Sequence, residues 1–248
     1  MSRNFSATTD KLRTTSFVGP PTTTGTVAFW IKPAFSPGDS TNYRLYEYWN
    51  SSGSLEFTMF RRFDNLWYFG WNNFGGDDRA TFSDTGTFTS GTWIHILFTW
   101  DTGGSPHTNV YFDGSSVGSA SGTLNTGTGF AEHHIGNSGV ANNGGGCGDI
   151  AEVGMWNIVL DAGQRAALAA GVAPILVAPA ALVQDSPLLG YASPETGRVA
   201  GTQYTVTGAT KSAHPRIFYP RRPSIITAPA AALAGNYSPL GLSLAGVG

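Results

Sequence analysis

"TWIHILFTWD" (Thr92–Asp101) decides the fold. It is rich in β-branched and aromatic residues and reads as the strongest strand in the chain. His95, inside it, reads as a packed, hydrogen-bonded side chain. Downstream, "NVYFDGSSVG" (Asn109–Gly118) reads as a hairpin, with Asp113-Gly114 supplying a turn that tolerates positive φ. Upstream, "GTVAFWIK" (Gly25–Lys32) alternates Thr26, Ala28 and Trp30 with Val27, Phe29 and Ile31, so both faces carry bulk and the strand is expected to be buried on both sides.

Further strands follow the same logic. "RLYEYWN" (Arg44–Asn50), "SLEFTMFRRF" (Ser54–Phe63) and "LWYFGWNNF" (Leu66–Phe74) are split by "SSG" and "DN", with an aromatic about every third residue from Tyr43 to Phe74. "EHHIG" (Glu132–Gly136) and "GDIAEVGMWN" (Gly148–Asn157) are two more. One helix stands out in "LDAGQRAALAAG" (Leu160–Gly171). Asp161 and Gln164 form a capping box, Gly171 is the stop, and Leu168 with the alanines would face a sheet. Many strands and one short helix predict a β-sandwich.

The bulk numbers agree with this. The chain has 248 residues, 33 of them Gly, and only 12% charged, which suits short strands joined by tight turns. A formal net charge of -2 marks it for neither nucleic acid nor an acidic membrane surface. The single cysteine, Cys147, excludes an intramolecular disulfide. The N-terminus lacks a signal-type apolar core, and no run reaches the roughly 18 apolar residues of a membrane helix. Synthesis in a cytosol without Sec export is expected.

After Gly171 the texture changes to Pro and Ala. The boundaries read as 1–171 for the sandwich, 172–222 for an extension ending in a basic arm, and 223–248 for an uncharged tail. The extension holds two short strand candidates, around Leu182 and around Tyr204–Thr207. It is expected to fold back and complete the sandwich, because the N-terminus offers no comparable opening strand.

The run "TVAFWIKP … TWIHILFTWD … VYFDGSSVG … HIGNS … GDIAEVGMWNIVLDAGQRAALAAG" resembles the laminin-G-like domains of the concanavalin A-like lectin-glucanase superfamily. The resemblance covers residues 5–171. It implies an all-β, concanavalin A-like jelly-roll sandwich with one short helix and an extended C-terminal arm. The family includes sugar binders, calcium binders, adhesion modules and virion proteins. Many relatives carry an acidic residue after the isoleucine of "G-x-I", where this chain has Ala151; Asp113 and Asp149 remain as calcium candidates, and no other cofactor is implied. The segment "GVAPILVAPAALVQDSPLLGY…TVTGATKSAHPRIFYP" is similar to the extension that follows this jelly roll in some phage and prophage structural proteins.

Catalytic patterns are thin. A glucanase needs carboxylates at alternate strand positions, about 5–5.5 Å apart for retention, and no E-x-D-x-E triplet exists. Glu132-His133-His134 would place its imidazoles on opposite faces of a strand, so they do not converge on a metal. Cys147 sits in a Gly-rich loop without a His partner at family spacing. "GSSVG" around Ser116 lies in a hairpin, where no nucleophile elbow forms.

Two binding readings remain, both non-enzymatic. The first is a virion structural protein of the capsid-decoration or cement type. It would be a homo-oligomer, with a trimer as the candidate assembly, located in the virion and partnered by the major capsid protein or another virion protein. Its contacts would come from the arm (Arg216, Phe218, Tyr219, Arg221, Arg222) and the tail (Ile225, Ile226, Leu233, Tyr237, Leu240, Leu242), since Arg and aromatics anchor interfaces and proline preorganises the arm. The alternative is a glycan-binding module of a phage tail fibre or a secreted adhesion protein. Its candidates are Tyr46, Trp49, Trp67, Trp71 and Asp78, because ring faces stack on sugars and carboxylates bond hydroxyls.

Overall fold

A computed structural model describes residues 2–53, 55–73, 76–122, 127, 129–137, 144–186, 204–213 and 215–217; for residues 55, 56, 72, 73, 76–78 and 211 it describes the backbone alone. Its strands form two facing antiparallel sheets. One has seven strands in the order β14 (Thr205–Thr207), β2 (Lys11–Thr14), β11 (Phe130–Ile135), β4 (Tyr43–Asn50), β5 (Leu55–Arg61), β6 (Leu66–Asn73) and β7 (Gly76–Ser83). The other has eight. Seven run in the order β10 (Ser115–Ala120), β9 (Thr108–Phe112), β8 (Ile94–Asp101), β3 (Thr24–Pro33), β12 (Gly148–Trp156), β1 (Ser2–Phe5) and β15 (Thr210–Ser212). The eighth, β13 (Leu182–Ser186), pairs with β12.

Alternation along the strands builds the core. Val27, Phe29 and Ile31 of β3 and Ile96, Phe98 and Trp100 of β8 point between the sheets. They meet Tyr46, Tyr48, Phe57, Met59, Trp67, Phe69 and Trp71 from the seven-stranded sheet. The opposite faces of β3 and β8 are also covered. Ala28 and Leu97 pack against Trp156 at the end of β12 and against Leu160, Leu168 and Val177, which come from the helix α1 (Ala162–Ala169) and the turns around it. Central strands buried on both faces read as continuous apolar runs, which is why "HILFTW" shows no polar alternation.

The helix starts where its capping box dictates. Asp161 accepts from the Gln164 amide, and the Gln164 side chain accepts from the Asp161 amide. The Asp113-Gly114 turn joins β9 to β10 with φ of 47° and 81°, and Asp113 Oδ1 accepts from the His95 amide. Asp113 is thus a turn residue.

The N-terminal residues supply two strands, contrary to the expectation that they offer none. β1 lies in the eight-stranded sheet against β12, and β2 lies in the seven-stranded sheet against β11. "SRNF" and "KLRT" are four residues each and polar at three of them, so periodicity does not mark them.

The extension is woven into both sheets. β13 pairs with the second half of β12, while β1 pairs with its first half. The bulge at Glu152, with φ of 52°, separates the two segments. β14 pairs with β2 and β15 with β1, so consecutive short strands close one edge of each sheet. Beyond β15 the chain reaches α1, where the Arg216 carbonyl lies against Gly171.

Tyr204, just before β14, pins this arrangement from inside. Its hydroxyl meets His133 Nδ1 at 3.0 Å, accepts from Gln184 Nε2 at 2.9 Å, and lies 3.3 Å from Ser186 Oγ. Gln184 Oε1 in turn accepts from the hydroxyls of Tyr46 and Tyr48 at 3.2 and 2.9 Å. Buried polar groups persist when so partnered.

Candidate functional site

The outer face of the seven-stranded sheet, away from the core, is lined by polar and aromatic residues, of which His134, Glu47, Thr58, Phe60 and Tyr68 are buried. One line of directly opposed residues crosses it from strand to strand: Arg13, His134, Glu47, Thr58, Gly70 and Arg79. Each alternates with a core residue on its own strand. Glu47, for example, sits between Tyr46 and Tyr48, and Thr58 between Phe57 and Met59. Directly opposed residues share a face, so these side chains stand on one surface.

Glu47 is the floor of that surface. It is fully buried, and both its oxygens are engaged: Oε1 accepts from Arg44 Nη1 at 2.9 Å and from Thr58 Oγ1, and Oε2 accepts from Trp49 Nε1 at 2.9 Å. Burial raises the Glu47 pKa, and the Arg44 charge opposes this. On the next strand, Glu132 takes a bidentate hydrogen bond from Arg13 and a 2.8 Å bond from His134 Nε2. Arg13 holds the Glu132 carboxyl below its ordinary pKa. Burial lowers the His134 pKa, with Glu132 pulling the other way. The bond to Glu132 assigns the proton to Nε2 and leaves Nδ1 as a buried acceptor with no partner among the described residues.

Beside the polar line lies an aromatic pair. Phe60 and Tyr68 stack at 5.0 Å with an interplanar angle of 18°. Arg44 lies 4.0 Å over Phe60, and Arg62 and Arg79 lie 5.6 and 5.1 Å from the centre of the Tyr68 ring. Guanidinium groups layered on rings are held in fixed orientations.

The candidates from the sequence fare unequally. Tyr46, Trp67 and Trp71 belong to the hydrophobic core and are closed to a ligand: their side chains fill the gap between sheets, where large rings bury the most area. Trp49 alone of the four rings stands on the outer face, half-buried. Asp78 pairs opposite Trp71 in β7, and its side chain lies outside the described residues. Asp113 is committed to its turn. Asp149 accepts from Asn4 Nδ2 at 2.5 Å and lies 4.0 Å from Lys32 Nζ. No group of three metal-ligating side chains occurs among the described residues. In the arm, Arg216 is exposed. Phe218, Tyr219, Arg221, Arg222, Ile225, Ile226, Leu233, Tyr237, Leu240 and Leu242 lie outside the described residues.

Three other groups are placed. Cys147 is buried rather than in an open loop, its thiol against the Gly136 carbonyl, and burial raises its pKa. His133 faces inward, stacked on Tyr48 at 4.2 Å, while His134 faces outward, as alternation requires. His95 is buried beside Trp30, but its Nδ1 finds no hydrogen-bond partner among the described residues.

Sequence reasoning passed over Glu47, Arg44, Arg13, Phe60 and Tyr68. The signal for Glu47 and Trp49 was present: in "YEYW", period two puts them on the face opposite Tyr46 and Tyr48.

Two facing antiparallel sheets with one short α-helix among the described residues define a jelly-roll sandwich of the lectin type. The chain belongs to the laminin G family of concanavalin A-like lectin/glucanase superfamily domains, whose family model, Laminin_G_3, matches residues 6–164. Among solved structures it is similar to a candidate carbohydrate-binding protein of Bacteroides ovatus, with TM-score 0.59, 18% identity, 88% of this chain and 61% of that one covered. It is also similar to the extracellular region of zebrafish Gpr126/Adgrg6, with TM-score 0.53, 14% identity, and 86% and 27% covered. A third is the receptor-binding domain of botulinum neurotoxin C/D mosaic serotype, with TM-score 0.53, 12% identity, and 68% and 42% covered. The chain thus spans less than two thirds of each of these proteins, and at such identities the likeness is one of fold. No curated protein matches the chain by sequence.

Proposed function

We propose that this chain is a non-catalytic carbohydrate-binding module whose ligand lies on the outer face of the seven-stranded sheet. One observation carries the reading: the polar line from Arg13 to Arg79, flanked by the half-buried ring of Trp49. Sugar hydroxyls both donate and accept. The guanidinium groups of Arg13 and Arg79 and the part-exposed Glu132 carboxylate match them, with His134, Glu47 and Thr58 buried beneath, and the ring of Trp49 supplies the stacking surface. Glu47 and Glu132 hold other side chains in place, so they act as orienting groups and not as an acid-base pair. The superfamily description and the Bacteroides ovatus protein lend support at the level of fold. The test is a panel of immobilised glycans probed with the full chain and with Trp49→Ala. Binding to at least one glycan, lost in the variant while it stays folded, is expected; a panel that stays blank, or a variant that binds as well, refutes the reading.

A second reading is a phage virion protein of the capsid-decoration type, acting as a homo-oligomer against the major capsid protein or another virion protein. The observation in its favour is that the extension is paired into both sheets through β13, β14 and β15, so load on the C-terminal arm is borne by the whole sandwich. Truncation after Arg222 should then abolish self-association in analytical ultracentrifugation while the sandwich stays folded. A wild-type chain that sediments as a monomer at every concentration would exclude the oligomer.

A further inference from the structure

We propose that the C-terminal extension completes the carbohydrate face. Thr205 and Thr207, beside Arg13, form the outer end of a track that holds an extended glycan chain rather than a single terminal sugar. This rests on the reading of that face as carbohydrate-binding.

The argument starts from register. Thr205 is paired directly opposite Arg13, and Thr207 opposite Lys11. Arg13 faces outward, since Leu12 beside it is in the core and its guanidinium holds Glu132 on the outer surface. Thr205 therefore extends the polar line by one more strand, and both threonines are exposed. The line now runs Thr205, Arg13, His134, Glu47, Thr58, Gly70, Arg79 across all seven strands. At the usual inter-strand spacing its six steps span about 29 Å. Trp49 stands beside the middle of it, so a ligand stacked there has polar partners on both sides. His134, Glu47 and Thr58 are buried and support the line from beneath, while Thr205, Arg13, Trp49 and Arg79 keep exposed atoms across the same span. A monosaccharide reaches one or two of these four; only a chain reaches them together.

Gly70 fits the same picture. It is the one member of the line without a side chain, in mid-strand between Thr58 and Arg79, with φ of 137°. A glycine inside a strand weakens it and marks a place where another molecule or backbone comes close.

β14 is held for this task from within. Tyr204, immediately before Thr205, is bonded to His133 and Gln184, and Gln184 is bonded to Tyr46 and Tyr48. His133 and Tyr48 belong to the two strands that carry His134 and Glu47. The same network thus sets the height of the extension and of the middle of the line, a form of preorganisation. Tyr204 is a positioning residue here; it touches no ligand. The matched family region ends at residue 164, and β14 lies beyond it.

The experiment is calorimetric titration of the full chain with malto-, cello-, xylo- and manno-oligosaccharides, each from disaccharide to octasaccharide. Affinity should climb with length in the series that binds. The double variant Thr205→Ala/Thr207→Ala should lose roughly tenfold on the octasaccharide, the worth of two hydrogen bonds, and nothing on the disaccharide. Tyr204→Phe should show the same length-dependent loss, smaller in size, at a measured thermal midpoint that confirms folding. If the double variant binds every length as the wild type does, while Trp49→Ala does not bind, the extension is no part of the site and the carbohydrate reading survives. If disaccharide and octasaccharide bind equally, the track is refuted. If no series binds, both readings fall together.

Discussion

Trp49 donates its indole N–H to the Glu47 carboxylate at 2.9 Å on the outer face of the sheet, while Trp71, two strands away, is sealed in the core. The two tryptophans should therefore respond oppositely to truncation. Trp71→Ala opens a large cavity and should cost about 3–5 kcal/mol of stability in urea unfolding. Trp49→Ala should cost about 1 kcal/mol, chiefly the lost hydrogen bond to Glu47, and act on ligand binding instead. Equal destabilisation by the two would contradict the placement.

Arg61 gives a second prediction. It is fully buried; its Nε and Nη2 donate to Asp84 Oδ2 at 3.0 and 2.7 Å, and its Nη2 donates to Asn65 Oδ1 at 2.5 Å. Asp39 takes a further ion pair. Removing one partner strands the other charge, so Arg61→Ala should lose about 3–5 kcal/mol. The double variant Arg61→Met/Asp84→Leu should recover much of that. A double variant as unstable as the single one would show that the ion pair itself, and not the orphaned charge, carries the effect.

Acid should weaken the fold through its buried histidines. Burial pushes His95 down to about 3 from the ordinary imidazole value, and it lowers the pKa of His133 as well. The unfolded chain then binds more protons than the native one between the two pKa values, so stability falls as pH drops below about 6.5. For His95 alone the loss should reach about 2 kcal/mol by pH 5. Urea midpoints across this range should slope downward toward acid, and His95→Gln should flatten the slope by about that amount. A flat wild-type profile would be inconsistent with a neutral buried imidazole.

Gly171 ends the helix at φ of 90°, and a Cβ there would sit 2.5 Å from the Arg216 carbonyl oxygen. Gly171→Ala should cost about 1–3 kcal/mol, from the strained backbone and the displaced carbonyl. It should also speed limited proteolysis after Ser212. Cleavage at an unchanged rate would mean that the arm is not held at this point.

Much of the fold was legible in the sequence because long apolar strands and a capped helix leave local marks. Thr92–Asp101 and Leu160–Gly171 are such cases. β1, β2 and β15 left none, since three or four polar-rich residues become strands only when a neighbour pairs with them. The site was harder to read. An aromatic run from Tyr43 to Phe74 announces rings but not their faces, and a bulge at Leu45 in β4 shifts the alternation between Arg44 and Tyr46. Glu47 hides among tyrosines, and Arg13 gains its meaning only from Glu132, which is 119 residues away in the chain.

The central claim is that ligand binds on the outer face of the seven-stranded sheet. Its most direct test follows the seven tryptophan indole N–H signals by NMR while the strongest-binding glycan is titrated in. The account predicts that the Trp49 signal moves progressively, while those of core Trp67, Trp71, Trp100 and Trp156 hold still. A shift centred on Trp30 or Trp93, in or next to the eight-stranded sheet, with Trp49 unmoved, would contradict it.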